Sequence, residues 1–165
     1  MGRREFQRQG GWQWIRRGPM LEIHQCNCFT VRKAARRISR FYDDVLQPTG
    51  LRVTQFLILA ALAKAESASV NELAERLDLE RTAMGKTLGP LDRDGLIRIE
   101  PSRNDGRFRV VSLAPKGRRA LQDAVPLWRQ AQQRLADVNG EQWMAALRSS
   151  LSETKVEGIS GDSED

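Results

Sequence analysis

The stretch from Ser69 to Leu113 leaves this chain few ways to fold. Ser69-Val70-Asn71-Glu72 is a capping box: the serine hydroxyl can accept from the Glu72 backbone N–H, and the glutamate can reach back to the Ser69 N–H. The short helix it opens turns Val70, Leu73, Ala74 and Leu77 inward, and Asp78-Leu79 forms the turn after it. A second helix is predicted over about 80–94, with Ala83, Leu88, Leu91 and Leu96 facing the core and Gly95 as its left-handed cap. Gly85, Gly89 and Pro90 oppose this helix by propensity, and Pro90 should bend or loosen it. The pattern then changes to period two: Ile97, Ile99, Phe108, Val110 and Ser112 alternate with Arg98, Glu100, Arg109 and Val111, which predicts a two-stranded hairpin. The connecting residues 101–107 are all turn-forming or basic.

The flanking segments read as helices. Cys28, Val31, Ala35, Ile38, Tyr42 and Val45 recur in steps of three and four, so they share one helix face that ends before Pro48. A helix over about 53–63 is apolar nearly all round and should be buried. A long helix over about 115–136 carries Leu121, Val125, Trp128 and Leu135, with a kink expected at Pro126. A last one over about 141–151 carries Trp143, Leu147 and Leu151. The predicted fold is mainly α with a small β-hairpin wing: a winged helix-turn-helix within a single domain at 21–152. Residues 1–20, rich in Gly, Arg and Gln, read as a flexible basic arm, with Met20 as an alternative start. Residues 153–165 read as a disordered tail.

Composition narrows the function. The 165 residues carry a formal charge of +6, which suits a polyanionic partner but does not by itself separate one from a solvated basic surface. No apolar run approaches the roughly 18 residues that span a bilayer. Arg3-Arg4 and Arg16-Arg17 are not followed by an apolar stretch, so no export signal is expected, and the cytoplasm, with both cysteines reduced, is the expected compartment. One histidine, no glycine-rich phosphate loop and no nucleophile motif argue against an enzyme, and no cofactor is expected. Asp43 and Asp44 are adjacent and point to different sides of a helix, so they cannot act as a carboxylate pair.

A capped helix, a tight turn, a second helix and a basic hairpin suit duplex DNA, because the second helix fits the major groove and a cationic tip can reach the adjacent minor groove. The outer face of that helix offers Arg81, Thr82, Lys86, Thr87 and Arg93. The alternative is a winged helix that binds protein without reading DNA, though such a wing has no need of Arg103, Arg107 and Arg109 together. Leu73-Ala74-Glu75-Arg76-Leu77, Leu91-Asp92-Arg93-Asp94-Gly95-Leu96-Ile97, Asp105-Gly106-Arg107 and Leu113-Ala114-Pro115-Lys116-Gly117 resemble the MarR family of bacterial regulators, over roughly two thirds of the chain. The resemblance implies that Asp105 orients Arg107, that Arg107 enters the minor groove, and that Arg103 and Arg109 contact phosphates. Ala114 stands where the family usually has a threonine, and alanine cannot cap the long helix. The resemblance further implies an intertwined helical homodimer on a palindromic operator. Helices over about 22–47 and 115–151 would supply the dimer surface, with Trp128, Leu135, Trp143, Leu147 and Leu151, and residues of about 53–113 the DNA-binding lobe. It implies a regulator, a repressor released by a small-molecule or oxidative signal.

Cys28, followed by the stripe to Tyr42, resembles the organic-hydroperoxide-sensing branch of that family, in which a cysteine at this point is the oxidised sensor held by tyrosines. Cys28 and Tyr42 match; Arg32 and Val53 stand where two further tyrosines are expected. Beside a dense basic helix the thiolate, the form that reacts with peroxide, would be favoured. The alternative is that Cys28 is a small buried hydrophobe in phase with its stripe. Cys26 and Cys28 with His24 are too cramped for a closed zinc site from one chain, so no metal is expected. A phenolic or carboxylate effector is the other candidate signal, with Arg36, Arg40 and Arg52 available to pair with a carboxylate.

Overall fold

The structure, a computed structural model, describes residues 22–102 and 109–155. Its elements in order are α1 (Asn27–Leu46), α2 (Val53–Ala65), β1 (Ser67–Ser69), α3 (Val70–Arg76), α4 (Arg81–Arg93), β2 (Ile97–Pro101), β3 (Arg109–Leu113), α5 (Pro115–Asn139) and α6 (Glu141–Ser152), with 3-10 turns at Ile23–Gln25 and Gln47–Thr49. Among the described residues no single helix is long and apolar enough to cross a membrane.

Two units divide the chain, one through Ser39 and one from Arg40. In the first, the 3-10 turn leads into the opening turns of α1, and nearly every side chain is exposed. Cys26 and Cys28 are exposed free thiols within the single chain. Val31 is also exposed, at 47%. Phe29 is half-buried, with the His24 ring edge-on at 6.1 Å and the Lys33 ammonium 5.8 Å from its centre.

The second unit holds the core. Phe56, Ile58, Leu59 and Leu62 of α2 meet Leu73 of α3, Met84, Leu88 and Leu91 of α4, Ile97 and Val111 of the strands, and Leu121 and Ala124 of α5. Trp128 of α5 stacks on Phe56 with ring centres 5.8 Å apart. Two expectations of facing are corrected. Leu57 is 44% exposed, so α2 is not buried all round, and Ala83 is exposed while its neighbour Met84 fills the core. The reason is helical phase: 84, 88 and 91 are in step, whereas 83 and 88 are not.

The wing is a three-stranded antiparallel sheet, not the two-stranded hairpin expected, because β1 pairs with the free edge of β3 in the order β1-β3-β2. Ile97 faces Leu113 and Ile99 faces Val111, so Val111 and Leu113 turn inward and not Val110 and Ser112. Antiparallel register decides this, since directly opposed residues lie on the same face.

Hydrogen bonds fix the junctions. Asp43 of α1 accepts from the Val53 backbone N–H at 2.7 Å and pairs with Arg52 at 3.3 Å, so it satisfies an orphan donor at the start of α2. Gly95, at φ +69°, closes α4 as expected: its N–H donates to the Asp92 carbonyl and that of Leu96 to the Leu91 carbonyl, both at 2.9 Å. The same pattern ends α3, with Asp78 at φ +50° and the Leu79 N–H donating to the Ala74 carbonyl at 2.8 Å. Helix α5 begins at Pro115 with Ala114 as an N-cap that offers no side-chain bond. Its third residue, Gly117, packs directly on the strand corner, where an added Cβ would come within 1.9 Å of the Leu96 carbonyl oxygen. Ala114 donates its N–H to that same oxygen at 3.1 Å.

Candidate nucleic-acid interface

The capping box predicted at Ser69 is formed. Glu72 N–H donates to the Ser69 hydroxyl at 3.2 Å, and Ser69 N–H donates to the Glu72 carboxylate at 2.6 Å. These bonds to Ser69 hold the Glu72 carboxyl below the usual carboxylate range. The first residues of α3 lie beside the first residues of α4 and the start of β3.

Between these three elements lies an open cleft of about 260 Å³, lined by Ser69, Val70, Asn71, Arg81, Thr82, Gly85 and Arg109. It unites three side chains singled out in the sequence, Arg81 and Thr82 of α4 and Arg109 of β3. Lys86 is exposed one helical turn beyond Thr82. Thr87 is half-buried, and its hydroxyl donates to the Ala83 carbonyl at 2.9 Å, so its proton is committed to the backbone. Arg93 is exposed in the last turn of α4, roughly 18 Å along the axis from Arg81 and not part of the cleft. Arg103, Asp105 and Arg107 lie outside the described residues, in sequence between Pro101 of β2 and Arg109 of β3.

Asn71 and Gly85 line the cleft and were not anticipated as site residues. Asn71 carries a weak signal, a polar residue on the outer side of a capped helix. Gly85 reads in sequence only as a poor helix former. A second cleft of about 410 Å³ shares Asn71 and Arg81 but is otherwise lined by Ala74, Glu75, Asp78, Leu79 and Glu80. A polyanion is therefore favoured on the Arg109 side of Arg81 and repelled on the carboxylate side.

Tyr42 is buried, and its hydroxyl donates to Gln132 of α5 at 2.6 Å. Burial pushes its phenol above the usual tyrosine value, and the nearby Arg148 opposes the shift in part. Gln132 and Arg148, with Trp128, Arg129 and Met144, line a groove of about 600 Å³ between α5 and α6.

A helix-turn-helix braced by a three-stranded wing, with a cationic cleft where its helices and wing meet, defines a winged helix-turn-helix protein. The sequence profile of the MarR family matches residues 49–107. The solved structure of the M. tuberculosis transcriptional regulator MosR in complex with DNA is 39% identical, covers 78% of this chain and 92% of that one, and superposes with a TM-score of 0.70. The transcriptional regulator TtmR of Methylorubrum extorquens is 34% identical over 91 residues, which are 55% of this chain and 47% of TtmR, so the chain spans about half of that relative. The organic hydroperoxide resistance transcriptional regulator of Bacillus subtilis is 26% identical over 107 residues, 65% of this chain and 73% of that protein. The chain belongs to the MarR family of transcriptional regulators.

Proposed function

We propose that the chain binds duplex DNA as a homodimer on a palindromic operator and represses transcription until a chemical signal releases it. The observation that carries this reading is the convergence of Arg81, Thr82 and Arg109, from two elements, on one cleft of a winged helix. In this reading α4 enters the major groove and reads base edges through Thr82, Lys86 and Thr87, while Arg81 in its first turn holds a phosphate. Arg93, Arg103 and Arg109 neutralise phosphates, and Arg107, oriented by Asp105, enters the minor groove. Its MosR relative was solved with DNA. The α1, α5 and α6 helices form the dimer surface, supported by the exposure of Trp143 (53%) and Leu151 (49%). The relatives are transcriptional regulators, and the reading assigns the chain no catalytic role and places it in the cytoplasm.

The release signal has two forms that these residues support. The Cys28 thiolate attacks a hydroperoxide oxygen, forming a sulfenic acid while the alcohol leaves, with Cys26 as the neighbouring thiol. A phenol or carboxylate in the α5–α6 groove, stacked on Trp128 and paired with Arg129 or Arg148, is the second. The test is equilibrium binding to duplexes selected from a random pool, across a range of salt. Affinity is expected to fall log-linearly with salt, and Arg109→Gln to flatten that slope by about one. Binding to no duplex, or binding indifferent to salt, would overturn the reading. Peroxide that leaves the selected duplex bound in the wild type eliminates the thiol signal.

A further inference from the structure

Every described glycine but one has a reason within the chain for lacking a side chain. Gly50, Gly95 and Gly140 have φ of +72°, +69° and +89°, a backbone region that suits glycine. Gly117 lies against the Leu96 carbonyl. Gly89 precedes Pro90 within α4, where a Cβ would crowd the proline ring. Gly85 has none of these reasons: it is exposed in the middle of α4, its φ is not positive, and an added Cβ meets nothing within 4 Å. Glycine in mid-helix is less favourable than any residue but proline, so the chain carries a weakness here that its own packing does not require.

The empty space over Gly85 is the Arg81–Arg109 cleft. Two guanidinium groups beside a bare stretch of helix backbone are suited to a phosphodiester, which arginine holds by paired charge-assisted bonds and which must come close to be held. We propose that Gly85 is the notch through which one backbone phosphate of the duplex seats between Arg81 and Arg109, fixing the depth of α4 in the groove. This rests on the DNA-binding reading above. Gly85 is thus a positioning residue: it touches no base and sets how near the phosphate comes.

The proposal makes stability and binding move in opposite directions. In Gly85→Ala the added methyl fits the free chain and improves helix propensity, so the melting temperature should rise by a few degrees. The same methyl fills the notch, so affinity for duplexes should fall about tenfold or more, equivalent to about 1.4 kcal/mol. Because phosphates carry no sequence, the loss should be uniform across the selected and the unselected duplexes of the pool. In an Arg81→Gln background the further loss from Gly85→Ala should be much smaller, since the two changes act on one contact. An alanine variant that binds as tightly as the wild type overturns the proposal. So does a loss confined to particular sequences, which would make Gly85 a base-edge contact, or full additivity with Arg81→Gln. Failure of the wild type to bind any duplex would instead sink the DNA reading as a whole, so the two failures are told apart by the wild-type lane.

Discussion

Tyr42 is the single tyrosine of the chain, which makes its environment measurable. It lies on α1, buried, with its hydroxyl donating to Gln132. Removing a phenolate from water is unfavourable, so burial raises its pKa, and the Arg148 charge offsets only part of the effect. A raised value in the folded state means stability that is present below the unfolded value near 10 and is lost as pH rises through the folded one. Ultraviolet difference titration should show the phenolate appearing above the midpoint of the urea-unfolded chain. Coincident midpoints would mean that the phenol is open to solvent in the native protein.

The junction of β2, β3 and α5 is a close contact between backbones. The Leu96 carbonyl accepts from Ala114 N–H, the Asp94 carbonyl accepts from the Lys116 ammonium at 2.8 Å, and Gly117 lies flat on Leu96. Backbone cannot yield as a flexible side chain can, so Gly117→Ala should destabilise the fold by about 3 kcal/mol, read as a lower urea midpoint at unchanged slope. A midpoint within error of the wild type would refute the close approach. Much of this architecture was legible in sequence. The Ser69 box, the Gly95 cap and the helix periods are local signals, and local signals survive into the structure. What escaped was non-local. Ser67–Ser69 is too short to show alternation, and it is a strand only because β3 offers it an edge. Val110 and Val111 are adjacent, so either face of β3 could be apolar until Ile99 across the ladder selected Val111. Asp78 holds a left-handed position usually given to glycine, a role aspartate tolerates through its short polar side chain. The cleft itself was half legible: Arg81, Thr82 and Arg109 stand out by charge and phase, whereas Gly85 is recognisable only once the space beside it is known.

At the scale of the whole molecule, the apolar residues left outside the core are informative. Trp143, Leu147 and Leu151 fall four apart along α6 and therefore share one face, with Leu147 half-buried and the other two about half exposed. Single exposed hydrophobics are ordinary; a row of them on one helix face marks an interface. On the proposed reading that face meets a second copy, and the second copy doubles the number of recognition helices on one duplex. The double variant Trp143→Glu, Leu151→Glu should then sediment at half the wild-type mass while keeping its helical circular dichroism, because neither residue belongs to the core. Its affinity for a two-half-site duplex should fall by about a hundredfold or more, the loss expected when a tethered second contact is removed. Its salt slope should drop to about half, since only one cleft then displaces counterions at a time. The slope distinguishes a broken dimer from a damaged lobe: a misfolded lobe would lose affinity with its circular dichroism, whereas an intact monomer keeps the fold and halves the slope. A variant that stays dimeric would show that the partner covers some other face, and a monomeric wild type would remove the dimer from the proposal altogether.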